Sequence, residues 1–281
     1  MTQLKESQIK IDEKFITKKC HQLLRESGVK KPPVDPKLLA SFRGINEVIE
    51  CNMKEAGILT PLDNGGFRIL LRESDCESRK RFSCCHEICH TFMPDYQLKP
   101  QKRVDNETGS YSKKNMTEYL CDHGASELLM PSFLFKPKFL KLGFNTNTLL
   151  VLSEEFQTSL EATAIKMVKY DPKKYALIIW EETYKPSEIG QVLSQTLPGF
   201  EDNKPKEKLR IQLGFGFDDA LHIPKHKSLD EDREIIMKAY NNNVNLNGKE
   251  TLNFGRISIE CNVFTMPLLN TNKVLTLLKR V

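Results

Sequence analysis

The five residues His86-Glu87-Ile88-Cys89-His90 constrain this chain more than any other segment. They lie in a stretch of helical character that begins near Ser78 and ends at about Met93, before Pro94. Residues four apart lie on the same face of a helix, one turn above each other. His86 and His90 can therefore present two imidazole nitrogens to one point, and the fold must leave that face accessible to an ion.

Glu87 gives this pair a chemical use. A metal ion lowers the pKa of a bound water to about 7, and a neighbouring carboxylate can take the proton as general base. The chain has only six histidines in 281 residues. A chance His-Glu-x-x-His is therefore expected in on the order of one such chain in a hundred. The competing interpretation is a pair of surface histidines on an amphipathic helix.

A second predicted helix, Met116 to Met130, stops at Pro131 and supplies carboxylates. Glu118 is suited to be the third metal ligand. Asp122, one turn later, is suited to accept the free imidazole N–H of a ligand histidine and fix its orientation. The alternative for both is a solvated helix face. His123 is a candidate auxiliary residue, as a spare ligand or oxyanion stabiliser, although its position favours a side chain that points elsewhere.

These two helices resemble the ImmA/IrrE metallopeptidases. That family pairs an Arg-Phe-x-x-x-His-Glu-x-x-His helix with a later helix ending Ala-x-Glu-Leu-Leu-Met-Pro, and here the corresponding segments are 81–90 and 118–131. Segments 32–36 and 65–69 are also similar, so that the resemblance covers about residues 15 to 182. Two positions depart from the family: Cys89 replaces a Gly or Ser, and Gly124 replaces a Phe.

The resemblance implies a site residue by residue. It places zinc, or manganese as an alternative, on His86, His90 and Glu118, and it makes Glu87 the catalytic residue. It also implies a zincin-like fold and a protein substrate, a helix-turn-helix repressor whose cleavage derepresses stress or mobile-element genes.

The strand before the metal helix suggests where a substrate binds. An exposed strand edge can pair with an extended peptide backbone, which would make this a substrate-binding edge strand. An ordinary internal strand is the equal alternative. The residues concerned are Phe67, Arg68, Ile69, Leu70 and Leu71.

The fold class predicted is α+β, in three segments. Residues 1–145 form a helical metallopeptidase domain with a small sheet, 146–170 a helix-turn-helix-like segment, and 171–281 an α+β domain. By resemblance the last is GAF-like and sensory, and a plain stabilising or dimerising domain is the alternative. Further helices are predicted at Asp12 to Ser27, Pro36 to Phe42 (capped by Asp35) and Ser228 to Tyr240. Strands are predicted at Ile45 to Cys51, Gly66 to Leu71, Tyr175 to Trp180, Leu209 to Phe215, Gly255 to Ile259 and Val263 to Pro267.

The segment Thr148 to Lys169 has the spacing of a helix-turn-helix, with Ser159 as cap of its second helix. Its second half offers only Lys166 and Lys169 as cations. A recognition helix is expected to offer more contacts to phosphates and base edges. Direct DNA binding is therefore disfavoured, and packing of two short helices is the simpler interpretation.

The composition of the chain indicates its cellular location and the redox state of its cysteines. The amino terminus is polar, and the longest apolar run, around Tyr175 to Trp180, is too short to cross a bilayer. We therefore expect a cytoplasmic protein without a membrane partner. The eight cysteines lack framework spacing and are expected to be reduced thiols. His21, His222 and His226 are expected to be structural or surface residues, and Trp180 to be in the core.

Two functions remain open: a zinc-dependent endopeptidase, and a non-proteolytic DNA- or protein-binding regulator with a structural metal site. Glu87 favours the enzyme, because a purely structural metal site has no use for a general base.

Overall fold

The computed structural model describes residues 2–63, 65–93, 101–103, 116–190, 205–217, 223–229, 234–254 and 257–281. Within these ranges the chain is α+β, as predicted, with eight α-helices and two sheets. Its contacts divide it into two compact units, residues 1–141 with 151–162 and residues 142–150 with 163–281. The domain limits at residues 145 and 170 stay a prediction.

The helices and strands have the following bounds in chain order. The helices are α1 (Thr2–Glu26), α2 (Pro36–Ser41), α3 (Glu77–His90), α4 (Met116–Leu129), α5 (Ser132–Leu142), α6 (Thr146–Phe156), α7 (Leu160–Val168) and α8 (Glu234–Asn242). The strands are β1 (Ile45–Cys51), β2 (Gly57–Pro61), β3 (Phe67–Arg72), β4 (Gln101–Arg103), β5 (Tyr175–Thr183), β6 (Lys208–Gly216), β7 (Leu246–Phe254), β8 (Ile257–Leu268) and β9 (Lys273–Arg280).

The sheet of the first unit has the order β1-β3-β2-β4. Strand β3 is parallel to β1 on one side and antiparallel to β2 on the other. The prediction that Phe67, Arg68, Ile69, Leu70 and Leu71 form an exposed edge is therefore wrong, and the internal-strand alternative is right. The sequence pattern did not predict β2, whose pairing covers that edge, because β2 begins with glycine and ends with proline.

Helices α1, α3 and α4 pack together beside this sheet. The hydrophobic core of the first unit is formed by residues of these helices and of the sheet. The two departures from the family meet in this packing. A Cβ atom on Gly124 would lie 2.5 Å from the Sγ of Cys89 and 2.9 Å from the Cγ2 of Ile16. The glycine on α4 therefore makes the room that the larger Cys89 side chain on α3 needs.

The second unit contains an antiparallel sheet of order β6-β5-β9-β8-β7. Strand β8 extends over both of the last two predicted strands, apart from residues 255 and 256, which lie outside the described residues, and β7 and β9 were not predicted. Trp180 is in the core, as predicted, and its indole N–H donates to the Oγ1 of Thr276 at 3.1 Å. The GAF-like character of this unit stays a prediction.

Helices α6 and α7 are joined by three residues, of which Gln157 has a left-handed backbone with φ of 52°. Ser159 caps α7 as predicted, since its Oγ accepts from the amide of Ala162 at 3.1 Å. Lys166 is buried and Lys169 lies just beyond the end of α7. Whether this pair contacts DNA stays a prediction.

Parts of the sequence-based predictions fall outside the described residues. The predicted loop from Pro94 to Lys114 is described only at β4, and His222 also lies outside. His226 is exposed in a turn with φ of 62°.

None of the described helices has the length and apolarity to cross a membrane. All eight cysteines are free thiols.

Candidate metal centre

Two adjacent helices build the candidate site. Helix α3 carries His86, Glu87 and His90, all at most 1% exposed, and α4 carries Glu118 in its first turn. The partial positive charge at the start of a helix favours a carboxylate there. Glu118 keeps 27% of its side-chain surface exposed, so the site is accessible from its side.

His86 is held at both ring nitrogens. Its Nδ1 lies 2.8 Å from the Oδ1 of Asp122, and its Nε2 lies 3.1 Å from the Oε2 of Glu118. A carboxylate only accepts hydrogen bonds, so Nδ1 carries a proton and donates it to Asp122. By the same rule Nε2 donates to Glu118 while no metal is bound. Because Asp122 keeps the proton on Nδ1, Nε2 is the nitrogen that a metal can take in exchange for its proton.

His90 completes the arrangement one turn further along α3. Its Nε2 lies 3.6 Å from the Oε1 of Glu118, and its ring centroid is 5.0 Å from that of His86. The two imidazoles and the carboxylate of Glu118 therefore converge, as the sequence predicts.

The electrostatics follow from these contacts. Burial acts to lower the pKa of His86, but its hydrogen bonds to Asp122 and Glu118 outweigh burial and raise it. Burial acts to raise the pKa of Glu118, and the hydrogen bond and positive charge of His86 outweigh burial and lower it. The pair is therefore inclined toward imidazolium and carboxylate, and a divalent ion would replace the proton between them.

Glu87 is fully buried and lies against β2. A Cβ atom on Gly57 would lie 2.7 Å from the Oε1 of Glu87 and 3.1 Å from its Cγ. Only glycine leaves this space, so the carboxyl group packs directly on the strand backbone. Its position is set by the strand as well as by its own helix.

The end of α3 is fixed by an arginine from outside the helix. The helix ends at His90, three residues before the predicted Met93, and continues in tight turns. Arg43 donates through Nε to the Oγ1 of Thr91 and through Nη2 to its carbonyl oxygen, each at 2.8 Å. Its guanidinium also lies 5.0 Å from the ring centroid of Phe92. A cation bound at a helix C-terminus stabilises that end, next to His90, a predicted metal ligand.

Cys121 also belongs to the site, and the sequence reasoning missed it. One possible ligand atom from each of His86, His90 and Cys121 lies within 4.8 Å of the others, and all three residues are buried. The signal that could have found it is spacing, because Cys121 lies three residues after Glu118 and so on the same side of α4.

The remaining predicted residue, His123, faces α1. Its Nε2 lies 2.9 Å from the Oγ1 of Thr17, and its Nδ1 lies 3.8 Å from the Oε1 of Glu13. His21 lies on α1, and its Nε2 lies 2.6 Å from the Oε1 of the buried Glu127 on α4. Both histidines therefore connect α1 to α4, and the auxiliary role proposed for His123 has no geometric support.

The donor set fits a metal ion. Two neutral imidazoles and a carboxylate are the ligands of catalytic zinc sites, and the second hydrogen bond to His86 is the support that ligand histidines receive. Manganese accepts the same donors. The geometry brings together the ligands, a buried carboxylate beside them and one accessible side.

Comparisons with known proteins agree with this arrangement. Residues 47–168 match the family model of the IrrE N-terminal-like domain, a peptidase family (M78). A search of curated proteins finds no match. Among solved structures, a transcriptional regulator of Mycobacterium tuberculosis is similar over 95% of this chain and 88% of its own, with a TM-score of 0.53 and 11% identity. At that identity the likeness shows a common fold and no more.

Proposed function

Since residues 47–168 are an IrrE N-terminal-like domain, we propose that this chain is a metal-dependent endopeptidase that cleaves a transcriptional repressor. The observation that carries the proposal is the placement of Glu87. A fully buried glutamate directly follows His86 on α3, and the side chains of His86 and His90 converge with the carboxylate of Glu118. A structural metal site needs no such residue.

His86, His90 and Glu118 would hold the ion. When bound, it supplies Lewis acidity, which activates water and polarises the peptide carbonyl of the substrate. Zinc is the first candidate, and manganese the alternative.

Glu87 would do the proton chemistry. Its carboxylate takes a proton from the attacking water and then delivers it to the amide nitrogen of the leaving product. Packing against Gly57 and full burial restrict the movement of the carboxylate, and a fixed position favours proton transfer.

The substrate we propose is a helix-turn-helix repressor. The resemblance of segments 81–90 and 118–131 to the ImmA/IrrE metallopeptidases supports it. The similar Mycobacterium protein is described as a transcriptional regulator, which is in keeping with a role in gene control. Such a substrate acts in the cytoplasm, where the sequence predicts this chain to be.

The second candidate is a regulator that binds DNA or protein without cleaving it. The helix pair α6–α7 favours this candidate, since its connection and its Ser159 cap have the form of a helix-turn-helix. Against it, Lys166 is buried, so the second helix offers phosphates little positive charge.

The experiment uses wild type, Glu87→Gln and Glu118→Ala, with the repressor encoded nearest to this protein as substrate. We expect one metal ion per chain in wild type and Glu87→Gln, weaker metal binding in Glu118→Ala, and cleavage by wild type alone. If Glu118→Ala leaves metal affinity unchanged, Glu118 is not the third ligand. Metal binding by all three without cleavage by any would favour the non-proteolytic regulator.

A further inference from the structure

Cys121 lies on the buried side of the candidate site. It has no exposed surface, whereas Glu118, one turn earlier on α4, remains partly exposed. Two different side chains of α4 thus lie near the histidines: a carboxylate that solvent can reach and a thiol that it cannot.

The spacing of the donor atoms brings the thiol within reach of the ion. Zinc bonds of about 2.0–2.1 Å to nitrogen and 2.3 Å to sulfur place neighbouring ligand atoms of a tetrahedral site roughly 3.5 Å apart. The atoms of His86, His90 and Cys121 lie within 4.8 Å of one another. A contraction of about 1 Å, which side-chain rotation can supply, would bring all three onto one ion.

A fourth protein ligand would change the metal site from open to closed. Catalytic zinc sites have three protein ligands and keep the fourth position for water or substrate, whereas sites with four protein ligands are closed. His86, His90 and Glu118 make three, and Cys121 would make the fourth.

We propose that Cys121 is a fourth metal ligand, which closes the coordination shell in the resting protein and leaves it when the site opens. The ligand role stands by itself; the significance of opening rests on the proposed endopeptidase function. Bond formation releases the thiol proton to solvent, and reopening takes one proton back, so the exchange needs no oxidant or reductant.

The other buried thiols on α3 do not share this position. The Sγ of Cys89 lies next to Gly124 and is not in the group of three donor atoms. Cys85 is fully buried but is not in the group of three donor atoms. Cys85→Ala is therefore a matched control: it removes one buried thiol beside the site and leaves the proposed ligand.

The first test is cobalt substitution of the full chain. Thiolate bound to cobalt(II) gives a sulfur-to-metal charge-transfer band in the near ultraviolet, which imidazole and carboxylate ligands do not give. We expect this band in wild type, Glu87→Gln and Cys85→Ala, and its loss in Cys121→Ala. Stoichiometric cobalt binding by wild type without the band would overturn the proposal.

The second test asks whether the site is closed. Acetohydroxamate binds a metal only where a coordination position is available. We expect it to change the visible cobalt spectrum of Cys121→Ala at least about tenfold lower concentration than that of wild type, with Cys85→Ala behaving as wild type. Equal response of all three proteins would show that Cys121 does not close the site.

Both readouts are independent of any substrate. A failure of the endopeptidase proposal would leave wild type with the sulfur band and without cleavage. A failure of the present proposal would leave cleavage intact and the band absent. If Cys121→Ala is poorly folded, Cys121→Ser keeps the volume and replaces the soft sulfur by a weak oxygen ligand, and the same loss of the band is expected.

Discussion

At the scale of single residues, the site depends on the proton at Nδ1 of His86. Asp122 accepts that proton's hydrogen bond at 2.8 Å and so turns Nε2 toward the position of an ion. The same carboxylate, with Glu118, raises the pKa of His86 against the effect of burial. Protons and metal therefore compete for one nitrogen, and Asp122 affects both.

Removal of Asp122 should separate these two effects. In Asp122→Ala we expect metal affinity at pH 8 to fall about 10- to 100-fold, the usual cost of losing such a partner. A raised pKa means that wild type begins to lose metal at a higher pH than an ordinary histidine site. Without the carboxylate the pKa of His86 falls, so the decline in binding should begin at a lower pH. Competition titrations with a chelator from pH 8 to pH 5 measure both.

A matching control is Asp75→Ala, which removes a carboxylate that pairs with Arg72, on another part of the same unit. Its pH profile should match wild type. An Asp122→Ala profile that coincides with wild type would mean that Asp122 does not support His86.

Gly57 offers a second test at this scale. In Gly57→Ala the new methyl group would lie 2.7 Å from the Oε1 of Glu87, so the carboxylate must move. Misplacement of a catalytic group by about 1 Å can cost about 100-fold in rate. We expect kcat to fall by about that factor while metal content is unchanged. Gly190→Ala, where the added atom meets open space, should leave kcat as in wild type; equal kcat in both variants would argue against Glu87 as the base.

At the scale of elements, the metal helix α3 is set by what packs against it. Arg43 fixes its carboxyl end at Thr91, and α4 approaches closely enough for Gly124 to lie against Cys89. Close packing resists extra volume, because neighbouring side chains must leave their preferred rotamers. The separation of α3 and α4, and hence that of their donor atoms, depends on this contact.

Adding one methyl group at that contact should therefore be costly. We expect Gly124→Ala to lower the free energy of unfolding by about 1–3 kcal/mol. Cys89→Ala in the same chain removes the Sγ that the methyl group meets, so the double variant should recover part of the loss. Urea unfolding of the four proteins gives the coupling; strictly additive losses would show that the two residues do not compete for space.

The helices and strands also show which parts of the fold can be predicted from local sequence patterns. The prediction of α2 with its Asp35 cap and of α4 before Pro131 succeeded because a cap and a proline mark their ends. Helix α3 was also predicted, but its end at His90 lies four residues before Pro94. Helix α5 was not predicted since Pro137 lies inside it. Strands β2, β7 and β9 depend on pairing partners far along the chain, which local patterns do not contain.

The same distinction holds for the site. His86, Glu87 and His90 could be predicted because helical spacing places them together on one helix. Glu118 and Asp122 lie on another helix, and the family resemblance was needed to connect them with the histidines. The proximity of Cys121 to the histidines, and of Gly57 to Glu87, arises where separate elements pack. For Cys121 the only local signal is its spacing of three residues from Glu118 on α4, and for Gly57 the sequence offers no local signal.

At the scale of the whole molecule, a ligand that binds only the folded protein stabilises it by mass action. The proposed ligands come from two helices of the first unit, so the ion would bind only when that unit is folded. Zinc at about 100 times its Kd should add about 2.7 kcal/mol to the stability of this unit. We expect zinc to raise the Tm of wild type and Glu87→Gln equally, and to leave the Tm of His90→Ala unchanged in calorimetry; an equal rise in all three would place the ion elsewhere.

The proposed peptidase activity depends most directly on Glu87 as a general base beside a bound metal. Wild type and Glu87→Gln should be purified in parallel, assayed for metal by atomic absorption, and incubated with the neighbouring repressor, with products identified by mass spectrometry. We predict equal metal content in both proteins and a defined internal cleavage by wild type only. Equal metal content with the same cleavage by both proteins, or with cleavage by neither, would contradict the account.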